Sequence, residues 1–233
     1  MISLLNVTKE YCVDEETVIA PVRDVSLKIE AHEFVIIIGR SGSGKTTLLN
    51  LMAGLVRPTS GQVLVDNRDL RRLSDRELSL LRAQEIGFVF QFPSLLPSLN
   101  VMENVVMPTS FQRRDAHAES NDRAAELLQM VGLSAKAVSL PRQLSAGEQK
   151  RAVLARSLMN QPRILLADEP TSDLDEQTEH EIIALLRNIN ASGVTIVMVT
   201  HSLELLPYAT RAFKMENGAL LPLNSTIPSH GPI

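Results

Sequence analysis

Gly39, Gly42, Gly44, Lys45 and Thr46 stand at the spacing of a polyphosphate cradle. They belong to the run Gly39-Arg40-Ser41-Gly42-Ser43-Gly44-Lys45-Thr46, which continues into Thr47. Glycines in such a loop let the backbone curl so that successive N–H groups point at phosphate oxygens. The N-terminus of a following helix adds its dipole, Lys45 bridges the outer phosphates, and the Thr46 hydroxyl can ligate Mg²⁺. The chemistry implied is binding of a nucleoside triphosphate.

Asp168 and Glu169 are the second candidate pair, directly after the apolar run Ile164-Leu165-Leu166-Ala167. At the C-terminal end of a buried parallel strand, Asp168 could hold Mg²⁺ directly or through water, and Glu169 could act as general base toward the γ-phosphate. An acidic pair capping a strand-to-loop junction is the plainer reading. The third candidate is Leu144-Ser145-Ala146-Gly147-Glu148. Ser145 and Glu148 form a capping box at a helix start. The capping box does not require Ala146-Gly147, read as an exposed small pair that a phosphate could approach closely.

These residues need particular elements to position them. Phe34 to Ile38 reads as a buried parallel strand entering the glycine loop, and Thr47 to Ala53 as a helix leaving it. Leu4–Thr8, Val22–Ile29 and Gln62–Val65 read as strands, the last closed by Asp66-Asn67, where Asn tolerates a left-handed backbone. Residues 68–84 interleave Arg68, Arg71, Arg72, Arg76 and Arg82 with Asp69, Asp75 and Glu77, a solvated mixed-charge helix. Ile86 to Phe90 is a further buried strand. After Gln91, Pro93, Pro97 and Pro108 break up a loop-rich stretch, followed by polar helical segments over 113–130 and a helix over about 145–159. A strand at 164–167, an amphipathic helix at 178–190 and a strand at 194–199 complete the alternation. The acidic turn Asp14-Glu15-Glu16 reads as solvated loop and the Pro-containing tail 222–233 as disordered. The pattern is a parallel α/β sheet with a helical insertion at about 92–158.

A chain of 233 residues can bury a substantial core without disulfides or metal, and its formal charge of −4 argues against a generic nucleic-acid binder. The single cysteine, Cys12, makes no internal disulfide and reads as a partly buried bystander in a reducing compartment. No stretch approaches the roughly 18 apolar residues that cross a bilayer, and the N-terminus lacks a signal-peptide pattern.

With Leu144 to Glu148 in place, the chain resembles the ATP-binding subunits of ABC transporters, whose signature is Leu-Ser-Gly-Gly-Gln. The resemblance covers nearly the whole chain, with its motifs in family order. Gly39 to Thr46 matches the Walker A loop and Ile164 to Asp168 the Walker B strand. Glu169 matches the catalytic glutamate, and Gln91 the glutamine that senses Mg²⁺ and the membrane partner. Ser172 to Asp175 looks like the loop that crosses the dimer interface, and His201 like the switch histidine that contacts the γ-phosphate. Tyr11 lies where the family stacks an aromatic ring on adenine.

The resemblance implies one ABC ATPase domain, a P-loop NTPase (RecA-like) core with a mostly parallel sheet and an N-terminal antiparallel β part. It places the catalytic core at 1–91 and 160–221 and the helical subdomain at 92–159. It implies ATP and Mg²⁺, with Thr46, Gln91 and Asp168 toward the metal. Ser145, Ala146, Gly147 and Glu148 would serve the ATP of a second copy, in a head-to-tail dimer. A membrane-spanning permease subunit would be the further partner, placing the chain in the cytoplasm on the inner face of the membrane. The other functional class is a soluble ABC-type ATPase acting on nucleic acid or other proteins; such chains usually carry two nucleotide domains, a coiled-coil insertion or basic extensions.

Three positions depart from the family. Ala146 replaces the first signature glycine, Glu148 replaces the glutamine, and His32 stands where the family turns with glycine, calling for a histidine at positive φ. Phe34-Val35, Asp75 to Leu78, Ile86 to Gln91 and Ala167 to Thr171 look like the lipoprotein-releasing, macrolide-exporting and cell-division branch. Members of that branch often transmit force across the membrane. Phe92 to Pro97, apolar for a loop, could dock a partner or simply pack.

Overall fold

The computed structural model describes residues 1–12, 14, 17–111 and 117–223. Glu15 and Glu16 of the acidic turn, residues 113–116 of the polar helical stretch and the tail from 224 onward lie outside the described residues. In chain order the first elements are β1 (Ile2–Cys12), β2 (Val18–Ile29), β3 (Phe34–Ile38), α1 (Lys45–Met52), β4 (Ser60–Val65) and β5 (Arg68–Asp69). Next come α2 (Asp75–Glu85), β6 (Ile86–Val89), α3 (Val101–Val106), α4 (His117–Met130) and α5 (Ala146–Ser157). The last are β7 (Ile164–Asp168), α6 (Glu176–Ala191), β8 (Thr195–Thr200), β9 (Arg211–Glu216) and β10 (Ala219–Leu223). The chain divides into two compact units, Met1–Ser74 with Thr195–Ile233, and Asp75–Val194.

The first unit holds an antiparallel sheet of order β2-β1-β4-β5. Its β4–β5 hairpin turns through Asp66 and Asn67 at φ 46° and 60°, the two left-handed residues that a type I′ turn requires. The same unit pairs β3 in parallel with both β8 and β9, and β10 antiparallel to β9. All five β3 residues and all six β8 residues are buried, as expected for strands covered on both faces. Leu48, Leu49, Leu51 and Met52 bury the inner face of α1, which packs against β8 and β4. His32 adopts φ 67° just before β3, and its N–H donates to Thr195 Oγ1 at 2.9 Å. The left-handed turn expected there is present without glycine.

In the second unit β6 and β7 pair in parallel, with Ile86 opposite Ile164. α2 packs on β6, and α3, α4 and α5 pack on one another. α6 buries Ile182, Ile183, Leu186 and Ile189 along one stripe, spaced as a helix presents one face. The fold is α/β, with parallel strand pairing, an antiparallel N-terminal part and a helical segment, as the sequence predicts.

Three regions differ from that reading. The stretch 68–84, read as one mixed-charge helix, opens instead with β5, whose Arg68 and Asp69 pair with β4, and reaches α2 only at Asp75. The stretch after Gln91 contains α3, started by a capping box between Asn100 and Glu103. Arg211 to Leu223 forms β9 and β10, so Pro222 and Leu223, read as the start of a disordered tail, lie in a strand, and the sequence reading has no element over 211–221. Arg211, Lys214 and Glu216 interrupt the apolar pattern of β9, while Pro222 lies in β10, which pairs only with β9 in the sheet order and so tolerates a missing N–H.

Candidate nucleotide site

In the first unit the glycine loop leaves the C-terminal end of β3, the edge of a parallel sheet where ligands bind. The Gly39 N–H donates to the Thr200 carbonyl at 3.3 Å, fixing the loop to the end of β8. A Cβ on Gly39 would stand 2.6 Å from Ser43 Oγ and 2.7 Å from the Met215 carbonyl, so β9 forms the other wall. Gly44 caps α1 at φ 103°, and a Cβ there would collide with the Pro21 carbonyl of β2. Both glycines are therefore required by close approach, and Gly44 by its left-handed backbone as well.

Lys45 is 5% exposed, and its ammonium donates to the carbonyls of Gly39 at 2.8 Å and Arg40 at 3.0 Å. The cation is thus held over its own loop, pointed where an outer phosphate would lie. Ser43 N–H closes the turn on the Arg40 carbonyl at 3.2 Å, while buried Ser43 Oγ has no hydrogen-bond partner among the described residues. A buried hydroxyl left unpaired calls for a polar ligand. Arg40, Ser41, Gly42 and Thr46 are exposed and Thr47 is half-buried at the start of α1. These features fit a polyphosphate.

His201 is brought to the same edge. Thr200 lies opposite Ile38 in the β3–β8 pairing, so His201 leaves β8 level with Gly39 leaving β3. Its side chain is exposed. Tyr11 lies opposite Ile19 on β2, two residues from the Pro21 carbonyl that abuts Gly44. The Lys9 ammonium sits 4.8 Å from the centre of the Tyr11 ring. Cys12 is exposed, not partly buried, because the paired ends of β1 and β2 at Cys12 and Val18 are both exposed.

The second unit gathers Gln91, Asp168, Glu169 and the Ser145–Glu148 turn. Asp168 ends β7 and is 4% exposed. Glu169 has φ 45°, an uncommon left-handed value, directly before Pro170, whose ring disfavours helical backbone in the preceding residue. Its carbonyl accepts from Ser172 N–H at 3.1 Å, and Asp173 follows at φ 62°. Asp168 is buried and Glu169, next to it, is half-buried. Gln91 is half-buried beyond β6, where the rings of Phe88 and Phe90 stack with centroids 4.3 Å apart.

α5 opens with the expected capping box. Ser145 Oγ accepts from Glu148 N–H at 3.2 Å, and the Glu148 carboxylate accepts from Ser145 N–H at 2.8 Å. The Ser145 N–H holds the Glu148 carboxyl below the usual carboxylate range, helped by Lys136 at 3.6 Å. Ala146 is exposed, but Gly147 is buried, which corrects the reading of an exposed small pair. A Cβ on Gly147 would stand 2.5 Å from Thr178 Cγ2. Asp175, the N-cap of α6, accepts from Thr178 N–H at 3.0 Å and from Thr178 Oγ1 at 2.7 Å, fixing the methyl that excludes a side chain at 147.

Three polar side chains that the sequence reading passes over hold the stretch after Gln91. Buried Lys150 of α5 donates to the Gln91 carbonyl. Arg156 donates to the Ser94 carbonyl at 2.7 Å and to Ser94 Oγ at 2.6 Å. Fully buried Asn104 accepts from Leu96 N–H at 2.7 Å and donates to the carbonyls of Leu96, Leu99 and Asn100. Beside these anchors Phe90 and Phe92 stay exposed, at 42% and 72%. A groove of about 340 Å³ runs beside them, lined by Phe88, Phe90, Met107, Pro108 and Arg156 among others.

Among the described residues no three His, Cys, Asp or Glu side chains group as a protein-only metal centre. Mg²⁺ carried on a nucleotide needs none, because phosphates and water supply most of its ligands. Among those residues, too, no helix is long and apolar enough to cross a membrane.

A glycine loop between a parallel strand and a helix, with its lysine turned over the loop, defines a P-loop nucleotide-binding protein. The profile of the family described as ABC transporter matches residues 22–172. The chain is 43% identical over 220 residues to a macrolide export ATP-binding/permease protein of Rhodopirellula baltica, covering 94% of this chain and 32% of that one. It thus spans about a third of that relative's length. It is also 44% identical over 222 residues to an uncharacterized ABC transporter ATP-binding protein, MJ0796, of Methanocaldococcus jannaschii, covering 94% of each. A solved dimeric structure of the MJ0796 cassette in a post-hydrolysis state, bound to ADP and Pi, superimposes with a TM-score of 0.89 at 41% identity. That match covers 97% of this chain and 100% of the other. The chain belongs to the ABC transporter family.

Proposed function

We propose that this chain is the motor subunit of a membrane ABC transporter or mechanotransmission complex, working as a head-to-tail pair of copies that closes on two ATP molecules. The observation that carries the reading is the loop 39–46, with Lys45 latched over its own carbonyls and Ser43 Oγ buried without a partner among the described residues. In this account Gly39 to Thr47 hold the phosphates, and Tyr11 stacks on the base. Mg²⁺ would be held by Thr46, Asp168 and Gln91, and would neutralise charge on the phosphates.

Glu169 would take the proton of the attacking water, and His201 would contact the γ-phosphate. Ser145, Ala146, Gly147 and Glu148 of one copy would meet the ATP of the other. The division into a core at 1–91 and 160–221 and a helical subdomain at 92–159 is part of the same proposal. A membrane-spanning permease subunit would receive the motion through Phe90, Phe92 and the adjoining groove, placing the chain on the inner face of the membrane. The Rhodopirellula relative is an ATP-binding/permease protein, which supports that partner.

Ser145→Arg tests the shared site. It is expected to abolish ATP turnover while the single chain binds ATP as the parent does. Loss of ATP binding by the isolated variant chain would contradict the shared arrangement.

A further inference from the structure

Lys150 is a buried amine to which the proposed chemistry assigns no task. It is only 6% exposed, although lysine is a residue type that is almost never fully buried unless paired. Its ammonium donates to the Gln91 carbonyl, 59 residues away, and to Ser172 Oγ at 3.4 Å, 22 residues away. Ser172 in turn donates its N–H to the Glu169 carbonyl at 3.1 Å. Lys150 also lies four residues after Ala146, on the same face of α5 and one turn in from the signature. A single side chain therefore touches the strand exit at Gln91 and the turn after Asp168, while rooted in the helix that carries Ser145 to Glu148.

Keeping an ammonium in so dry a place is unfavourable unless its partners compensate. Burial lowers the Lys150 pKa, and the carboxylates of Asp173, Glu169 and Asp168 act against that shift. Glu169 and Asp173 both take left-handed backbone conformations, so their turn depends on its surroundings to hold it.

We propose that Lys150 is a positioning residue for ATP hydrolysis, latching the signature helix to the Gln91 backbone and to Ser172 so that Glu169 is set when the signature engages. The proposal rests on the nucleotide-site reading above. It makes the signature helix of a chain a support for that chain's own general base.

Lys150→Met keeps the length and packing of the stem and removes both charge and donors. In the full chain with Mg-ATP, kcat is expected to fall about 10- to 100-fold, the range that misplacement of a reacting group produces. KM and single-chain ATP affinity should stay within about threefold, and Lys150→Arg should recover most of the rate. Ser172→Ala removes only the hydroxyl end of the latch and should lower kcat about two- to tenfold. Added to Lys150→Met, it should cost little more, because the two act through one contact. Parental kcat in either single variant overturns the proposal. So does a Lys150→Arg chain that folds and binds ATP yet is as slow as Lys150→Met. ATP binding by the parent separates the two claims: a parent that binds no ATP removes the site reading itself. A Lys150→Met chain that binds ATP and turns over at the parental rate removes Lys150 alone.

Discussion

α1 and α5 both open beside glycine, yet they complete their first turns in opposite ways. The first N–H groups of a helix have no acceptor within it. α5 answers with its own side chains: Ser145 and Glu148 cap each other, Glu148 sits in the first turn, and Lys136 lies 3.6 Å from its carboxylate. α1 has glycine at its N-cap, no side-chain cap and no acidic residue in its first turn. Its dipole is left for an outside anion, with Lys45 poised above it. The contrast teaches that the phosphate loop is built around its ligand, whereas the signature turn is complete in itself, with an anion already on its dipole. Affinity of a single chain for ATP should therefore reside at α1, and the α5 turn should matter for closure and turnover.

The largest effect expected is on chemistry. Glu169→Gln should lower kcat about 10²- to 10⁴-fold through loss of the general base, with ATP binding intact. A variant as fast as the parent would remove Glu169 from that role. The contrast between the two helices breaks most clearly in a binding titration of single chains. Lys45→Ala should weaken ATP about 10- to 100-fold, the worth of a charged hydrogen bond, while Ser145→Ala leaves that affinity unchanged. Equal losses in the two variants would erase the distinction.

Gly147→Ala should destabilise the fold by about 1–3 kcal/mol in chemical denaturation, because its methyl meets Thr178 Cγ2. Thr178→Ala in the same chain should restore much of that loss. No change in Gly147→Ala alone would show that the turn can open without strain.

The smallest effect concerns the charge on α5. The folded-state pKa of Glu148 is depressed, chiefly by Ser145 N–H and then by Lys136, so its contribution to stability is present above the unfolded value of about 4.3. That contribution is lost as pH falls through the lower folded value. Glu148→Gln should therefore melt slightly below the parent at pH 7, by less than about 1 kcal/mol, with the gap closing in acid. A gap that widens as pH falls would give the carboxylate the opposite sign.

The sequence made β3, β7, β8 and the phosphate loop readable because buried parallel strands are short apolar runs and the loop requires glycines at fixed spacing. The I′ turn at Asp66-Asn67 and the left-handed His32 were readable for the same local reasons. What escaped was set by distant parts of the chain. β9 carries three charges, and its place beside the loop depends on pairing with β3. α3 is only six residues long, although Asn100 and Glu103 already spelled its capping box. Gly147 looked like an opening for phosphate because Thr178, 31 residues later, cannot be seen in the signature itself. Lys150 escaped notice because nothing local to it reveals Gln91 or Ser172.

Closure of two copies around ATP is the central event of the proposed cycle. The mass of the Glu169→Gln chain in solution, with and without Mg-ATP, measures it. The expected result is one chain without nucleotide and two chains with it. A chain saturated with ATP that keeps the mass of a single copy would contradict the account.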